Sequence, residues 1–171
     1  MSNDLLLSNL DKILSNSEYG GKFLSFCCGL NRDNNYFKST NKYYIMGKLC
    51  ESMKPEIENY LNYLLMVINN QISTKFQHEI LNIHNIYVIL NSHEHKEPLI
   101  SFLCGFFENR EDWIEAEQFG NEYIIGMLIG MNNSTVFTFC RHLLKTIHED
   151  DTHNRDELKI NEYGNNEFMD S

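Results

Sequence analysis

Two groups of residues in this 171-residue chain combine side-chain types that do chemistry. Arg141 and His148 stand seven positions apart, two turns of a helix, so both would project from one face. A guanidinium placed there can hold a phosphate while the imidazole moves a proton. His93, Glu94, His95 and Glu97 gather metal-donor atoms in one short stretch. Histidines at i and i+2 between helices do not set a tetrahedral geometry unaided, and an exposed connecting loop is the simpler expectation. Five cysteines, Cys27, Cys28, Cys50, Cys104 and Cys140, are odd in number and scattered among apolar residues. That is unlike a disulfide framework, and reduced, buried thiols are expected. The chain has no Walker A loop, no Gly-x-Gly-x-x-Gly and no Gly-x-Ser-x-Gly elbow. The expectation is a chain with no catalytic set, no cofactor and no metal.

The elements that would carry these residues repeat. Sliding the chain by 76 places Ile13-Leu14 on Ile89-Leu90, Leu24-Ser25-Phe26 on Ile100-Ser101-Phe102, and Cys28-Gly29-Leu30 on Cys104-Gly105-Phe106. Two inserted residues then bring Asn31-Arg32-Asp33 onto Asn109-Arg110-Glu111. One more brings Tyr44-Ile45-Met46-Gly47 onto Tyr123-Ile124-Ile125-Gly126, and Leu64-Leu65 onto Leu143-Leu144. The matched positions are mainly apolar residues and glycines, which a shared packing geometry demands. A tandem duplication is the reading, with units from about Asp4 to Asn70 and about Ile80 to Glu149.

Within each unit apolar residues recur at three and four, as in Leu6, Leu10, Ile13 and Leu14 or in Ile57, Tyr60, Leu61, Leu64, Leu65 and Ile68. Pro55 and Pro98 both suit a first helical position. Gly29 and Gly105 suit left-handed helix ends. The pattern predicts an all-α fold with four helices per unit, at 4–16, 21–29, 36–51 and 55–70, then 79–91, 98–107, 111–130 and 134–149. Two such units give a short α-solenoid or a pseudo-twofold helical bundle. The expected organisation is one compact domain, with unit one at 1–78, unit two at 79–150 and a polar, mobile tail at 151–171.

The formal charge of −10 is unevenly placed. Residues 1–79 carry eight acids and eight bases, whereas residues 80–171 carry sixteen acids and six bases. The excess concentrates at Glu108, Glu111, Asp112, Glu115, Glu117 and Glu122, opposed locally by Arg110 alone, with the single tryptophan, Trp113, among them. On one continuous helix, 111, 115, 118 and 122 would share a side. Tryptophan amid charges is a frequent composition at binding hot spots. These seven residues, Trp113 included, are the candidate partner-binding set. Acids there would speed encounter with a cationic protein and repel nucleic acid. The N-terminus lacks a basic signal region, and the apolar run Tyr123–Met131 falls well short of the roughly 20 residues a spanning helix needs. A cytoplasmic protein that meets neither membrane nor nucleic acid is expected.

Three resemblances follow from these residues. The segment Arg141 to His148, with polar His142 after the arginine, resembles the Arg-x4–6-His signature of HEPN-type ribonucleases. That resemblance implies Arg141 and His148 at a scissile phosphate. Unit one carries Asn62 and Asn69 at the matching places, so the pair lies outside the repeat. Asn109-Arg110-Glu111-Asp112-Trp113 is a faint echo of the segment that marks Bcl-2-like helical bundles, which would imply an interaction adaptor. Small size, acidity and the missing active site together resemble, in type, the immunity proteins of bacterial polymorphic and contact-dependent toxin systems. That last resemblance implies a non-enzymatic inhibitor whose acidic surface neutralises a basic toxin domain.

Overall fold

The computed structural model describes residues 2–38, 41–71 and 78–161, with side chains to residue 149. Among the described residues the chain forms nine helices and no strand, so the fold is all-α. They are α1 (Asn3–Leu14), α2 (Tyr19–Leu30), α3 (Lys42–Glu51), α4 (Pro55–Ile68), α5 (His78–Leu90), α6 (His93–Phe107), α7 (Arg110–Phe119), α8 (Asn121–Met131) and α9 (Ser134–Asn161). Short polar side chains start several of them. Ser2, Asn41, Asn109 and Asn133 each accept from a backbone N–H of the first turn, satisfying donors that have no partner within the helix. Pro55 opens α4 as expected.

Four expectations are corrected. The stretch 111–130 is two helices, because Gly120 takes φ 107° and ψ 171°, a region open essentially to glycine alone. Its N–H still reaches the carbonyls of Ala116 and Glu117, while its own carbonyl accepts from Ile124. Pro98 lies inside α6 rather than at its start. The helix begins at His93, where Ser92 presents its carbonyl to the N–H groups of His95 and Lys96. Pro98 and Glu94 are both exposed, so water can replace the donor that proline removes. The helix expected at 36–51 begins only at Lys42, capped by Asn41. Gly29 and Gly105 sit within helices; the left-handed residues are Arg32 and Glu108, three positions beyond each. Of the expected tail, 151–161 continue α9 and 162–171 lie outside the described residues.

The packing of the two halves runs in parallel. In the first, α1 packs on α2, α3 and α4, and α2 on α4; in the second, α5 packs on α6, α8 and α9, and α6 on α9. Phe26 stacks on Tyr60 with ring centroids 4.0 Å apart, and Phe102 stacks on Phe139 at 4.0 Å. These pairs correspond at the offsets of 76 and 79 read from the sequence. Both α2 and α6 end alike. The N–H of Arg32 bonds the carbonyl of Gly29 and that of Glu108 bonds Gly105, while Asp33 and Asn109 reach back to Cys28 and Cys104. In this turn Arg32 and Asp33 match Glu108 and Asn109 at the offset of 76, not Arg110 and Glu111 at 78.

Between the halves the most extensive seam joins α2 to α8, with α4 against α5 beside it. Here glycine is required. A Cβ on Gly29 would overlap the carbonyl oxygen of Tyr123, and one on Gly126 would overlap that of Phe26 and stand 2.8 Å from the Leu30 nitrogen. The two backbones touch directly, and the side chains of Phe26 on α2 and of Ile124, Ile125 and Leu128 on α8 are buried. A twofold relation between the halves would pair α3 with α6 as α2 pairs with α8. No seam of that extent joins them among the described residues.

Candidate partner-binding surface

The short helix α7 has a narrow inward stripe made by Trp113 and Ala116, each 1% exposed. Trp113 packs against Phe107 with ring centroids 5.8 Å apart. Its place in the partner-binding set is therefore corrected. The largest apolar side chain on an otherwise charged helix is what docks that helix to the core. With Trp113 turned inward, Glu111, Asp112, Glu115 and Glu117 are exposed, and Glu108 joins them from the left-handed turn after α6. Among the described residues none of these five carboxylates lies in an ion pair. Asp112 has a second duty. It accepts from the Asn109 side-chain amide while its own N–H donates to the Asn109 side-chain oxygen, closing the start of α7.

Glu122 does not belong with them. The break at Gly120 places it on α8, half-buried, where its Oε2 accepts from the Tyr87 hydroxyl at 3.1 Å. Tyr87 thereby spends its hydrogen, so the Tyr60 hydroxyl donates to Tyr87 in the adjoining bond. Beside this chain the Tyr63 hydroxyl meets Nδ1 of His84 at 3.1 Å. Burial pushes the phenols of Tyr60 and Tyr87 up, that of Tyr63 up to about 12, and the imidazole of His84 down. All four groups are thus neutral near pH 7, and Glu122 secures the joint of α4, α5 and α8 rather than a surface.

Pattern reading missed two apolar residues in the acidic region. Ile114 is 44% exposed and Phe106 is 42% exposed. Ile114 lies one residue off the inward pair Trp113 and Ala116, about 100° around the helix, and that was the signal available. Between α6 and α7 runs an open groove of about 550 Å³, with Ile100, Ser101 and Cys104 on one wall and Arg110, Ile114 and Glu117 on the other. The region therefore joins uncompensated carboxylates to exposed apolar area, a mixture suited to a protein partner.

The remaining candidates stand apart from it. Arg141 and His148 are both exposed on α9, and the Arg141 guanidinium donates to the Thr138 hydroxyl at 3.0 Å. Arg141 lines a shallow groove with His78, Glu79 and Asn82, which His148 does not enter. His93, Glu94 and His95 form the first turn of α6, not a loop, and buried His95 meets the Ser92 hydroxyl at 2.7 Å. Among the described residues no three His, Cys, Asp or Glu side chains converge as a metal site would require. Cys27, Cys28 and Cys140 are buried, but Cys50 is exposed, against expectation. Burial raises the Cys27 thiol and pushes Cys140 up to about 11. No described helix is long and apolar enough to cross a membrane. Comparison with protein-family models, with curated proteins and with solved structures finds no match.

Proposed function

We propose that the chain is a non-enzymatic inhibitor, of the immunity-protein type, that binds a basic protein toxin domain through α7. The observation that carries this reading is the exposed set Glu108, Glu111, Asp112, Glu115 and Glu117, with no cationic neighbour in contact and with Ile114 exposed in its midst. Unpaired carboxylates cost the helix a few tenths of a kcal/mol at each like-charged i, i+4 pair, and a cationic partner would relieve that repulsion. The toxin class that fits is a nuclease domain, whose phosphate-binding cleft is basic. The reading calls for a cytoplasmic protein without cofactor or metal.

The test uses the toxin domain encoded next to this chain's gene. The Glu111→Lys/Glu115→Lys/Glu117→Lys protein is expected to lose inhibition, with a slower association rate and a flatter salt dependence. Unchanged affinity would remove α7 from the account. A second reading, an interaction adaptor, rests on the α6–α7 groove, with apolar Ile100 on one wall and Ile114 on the other. The ribonuclease reading requires RNA cleavage that disappears in Arg141→Ala/His148→Ala.

We infer as well that a tandem duplication built the frame. Three things support it: the same four helix pairings in each half, the two ring stacks at 4.0 Å, and the left-handed Arg32 and Glu108 at one offset.

A further inference from the structure

The residues that meet most closely between α2 and α8 have counterparts on α6 and α3 at the offsets of 76 and 79. Gly29 corresponds to Gly105 and Leu30 to Phe106, both on α6; Gly126 corresponds to Gly47 and Tyr123 to Tyr44, both on α3. The originals are enclosed, and the counterparts are open. Nothing lies within 4 Å of a Cβ built on Gly105 or on Gly47. Tyr43 is 71% exposed and Tyr44 47%, on a short helix that buries only Ile45 and Leu49. On α6, Gly105 and Phe106 are exposed, and the groove between α6 and α7 continues that face. The counterparts of Gly29 and Gly126, with Phe106 and Tyr44 beside them, are thus uncovered.

From this we infer that the chain associates with itself head to tail: α3 of one copy seats on α6 of the next, repeating the α2–α8 seam between molecules. The occupant is a second copy because the molecule already contains this interface once, and Gly47 and Gly105 repeat two of its three close-approach glycines, while the third, Gly130, corresponds to Glu51. The inference rests on the duplication reading. The contact is heterologous, so it propagates into a filament or closes into a ring. Charge favours the same orientation. The half that carries α3 is neutral overall and the half that carries α6 is acidic, whereas a contact between two α6–α7 ends would oppose two sets of carboxylates. With −10 on every copy, added salt screens repulsion and strengthens assembly.

The experiment is sedimentation of the full chain across concentration and salt, under reducing conditions so that exposed Cys50 cannot cross-link. Species larger than a monomer, increasing with salt, are expected. Gly47→Glu and Gly105→Glu each place a charge where the monomer has open space, and circular dichroism confirms their folding. Each variant alone is expected to remain monomeric. Mixed, they are expected to form a one-to-one dimer that grows no further, since each keeps the surface the other has lost. A monomeric unaltered chain at every concentration, assembly that survives either variant alone, or failure of the mixture to pair would each overturn the inference.

Discussion

Residues 31–38 follow α2 as residues 108–120 follow α6, and the two stretches are built differently. The first runs as an irregular connection held by local bonds. Lys48 donates to the Tyr36 carbonyl at 2.6 Å, and Tyr36 shares a hydrogen bond with Ser52. The second contains a whole helix, α7, docked by Trp113 and Ala116 and covered outside with carboxylates that have no ion-pair partner. The helices around both segments pack in the same pattern. The difference shows that the frame and the surface are separable: the apolar and glycine positions fix which helices meet, and the connection between them is free to change its length and charge.

Substitutions that strike one half and spare the other sharpen that contrast. Trp113 is the largest fully buried side chain among the described residues, so Trp113→Ala is expected to have the largest effect, about 3–5 kcal/mol of lost stability in a denaturant titration. A loss below about 1 kcal/mol would mean that α7 is not docked by its tryptophan. Next comes a pair of identical changes with opposite signs. Gly29→Ala forces backbone apart at the seam and is expected to cost about 3 kcal/mol. Gly105→Ala, at the corresponding open position within a helix, is expected to stabilise by about 0.5–1 kcal/mol. Equal effects would break the comparison. Gly120→Ala should cost about 1–3 kcal/mol through backbone strain alone, since the space around it is open. Smallest is Glu115→Gln, which removes the repulsion from Glu111 and should raise the midpoint by an amount equal to about 0.3 kcal/mol.

Much of the frame was legible in the sequence, because three- and four-residue spacing of Leu, Ile and Phe recurs in both halves and Pro55 marks a helix start. What was not legible depended on tertiary contact. Gly29 looked like a helix end, yet it is glycine because the Tyr123 backbone lies against it. The break at Gly120 was masked by the apolar run that follows, which continues a helical pattern across it. With the break unseen, Glu122 was grouped with acids that stand on a different helix. Of the acidic segment, Glu108, Glu111, Asp112, Glu115 and Glu117 are all exposed, whereas Trp113 is buried. Its charged neighbours implied solvent, but a helix with so few apolar residues commits its largest one to the core. The exposure of Ile114 was signalled only by its offset from Trp113 and Ala116, and the groove beside it depends on α6 and α7 lying side by side.

The claim on which the functional account turns is that local carboxylates, and not the chain's overall acidity, recognise the partner. It is tested by measuring the affinity of two proteins with the same net charge for the basic toxin domain. One is Glu111→Lys/Glu115→Lys/Glu117→Lys on α7, and the other is Asp4→Lys/Glu18→Lys/Glu51→Lys on exposed positions of the first half. Loss of binding confined to the α7 protein is the predicted result. Equal weakening of both, or of neither, would contradict it.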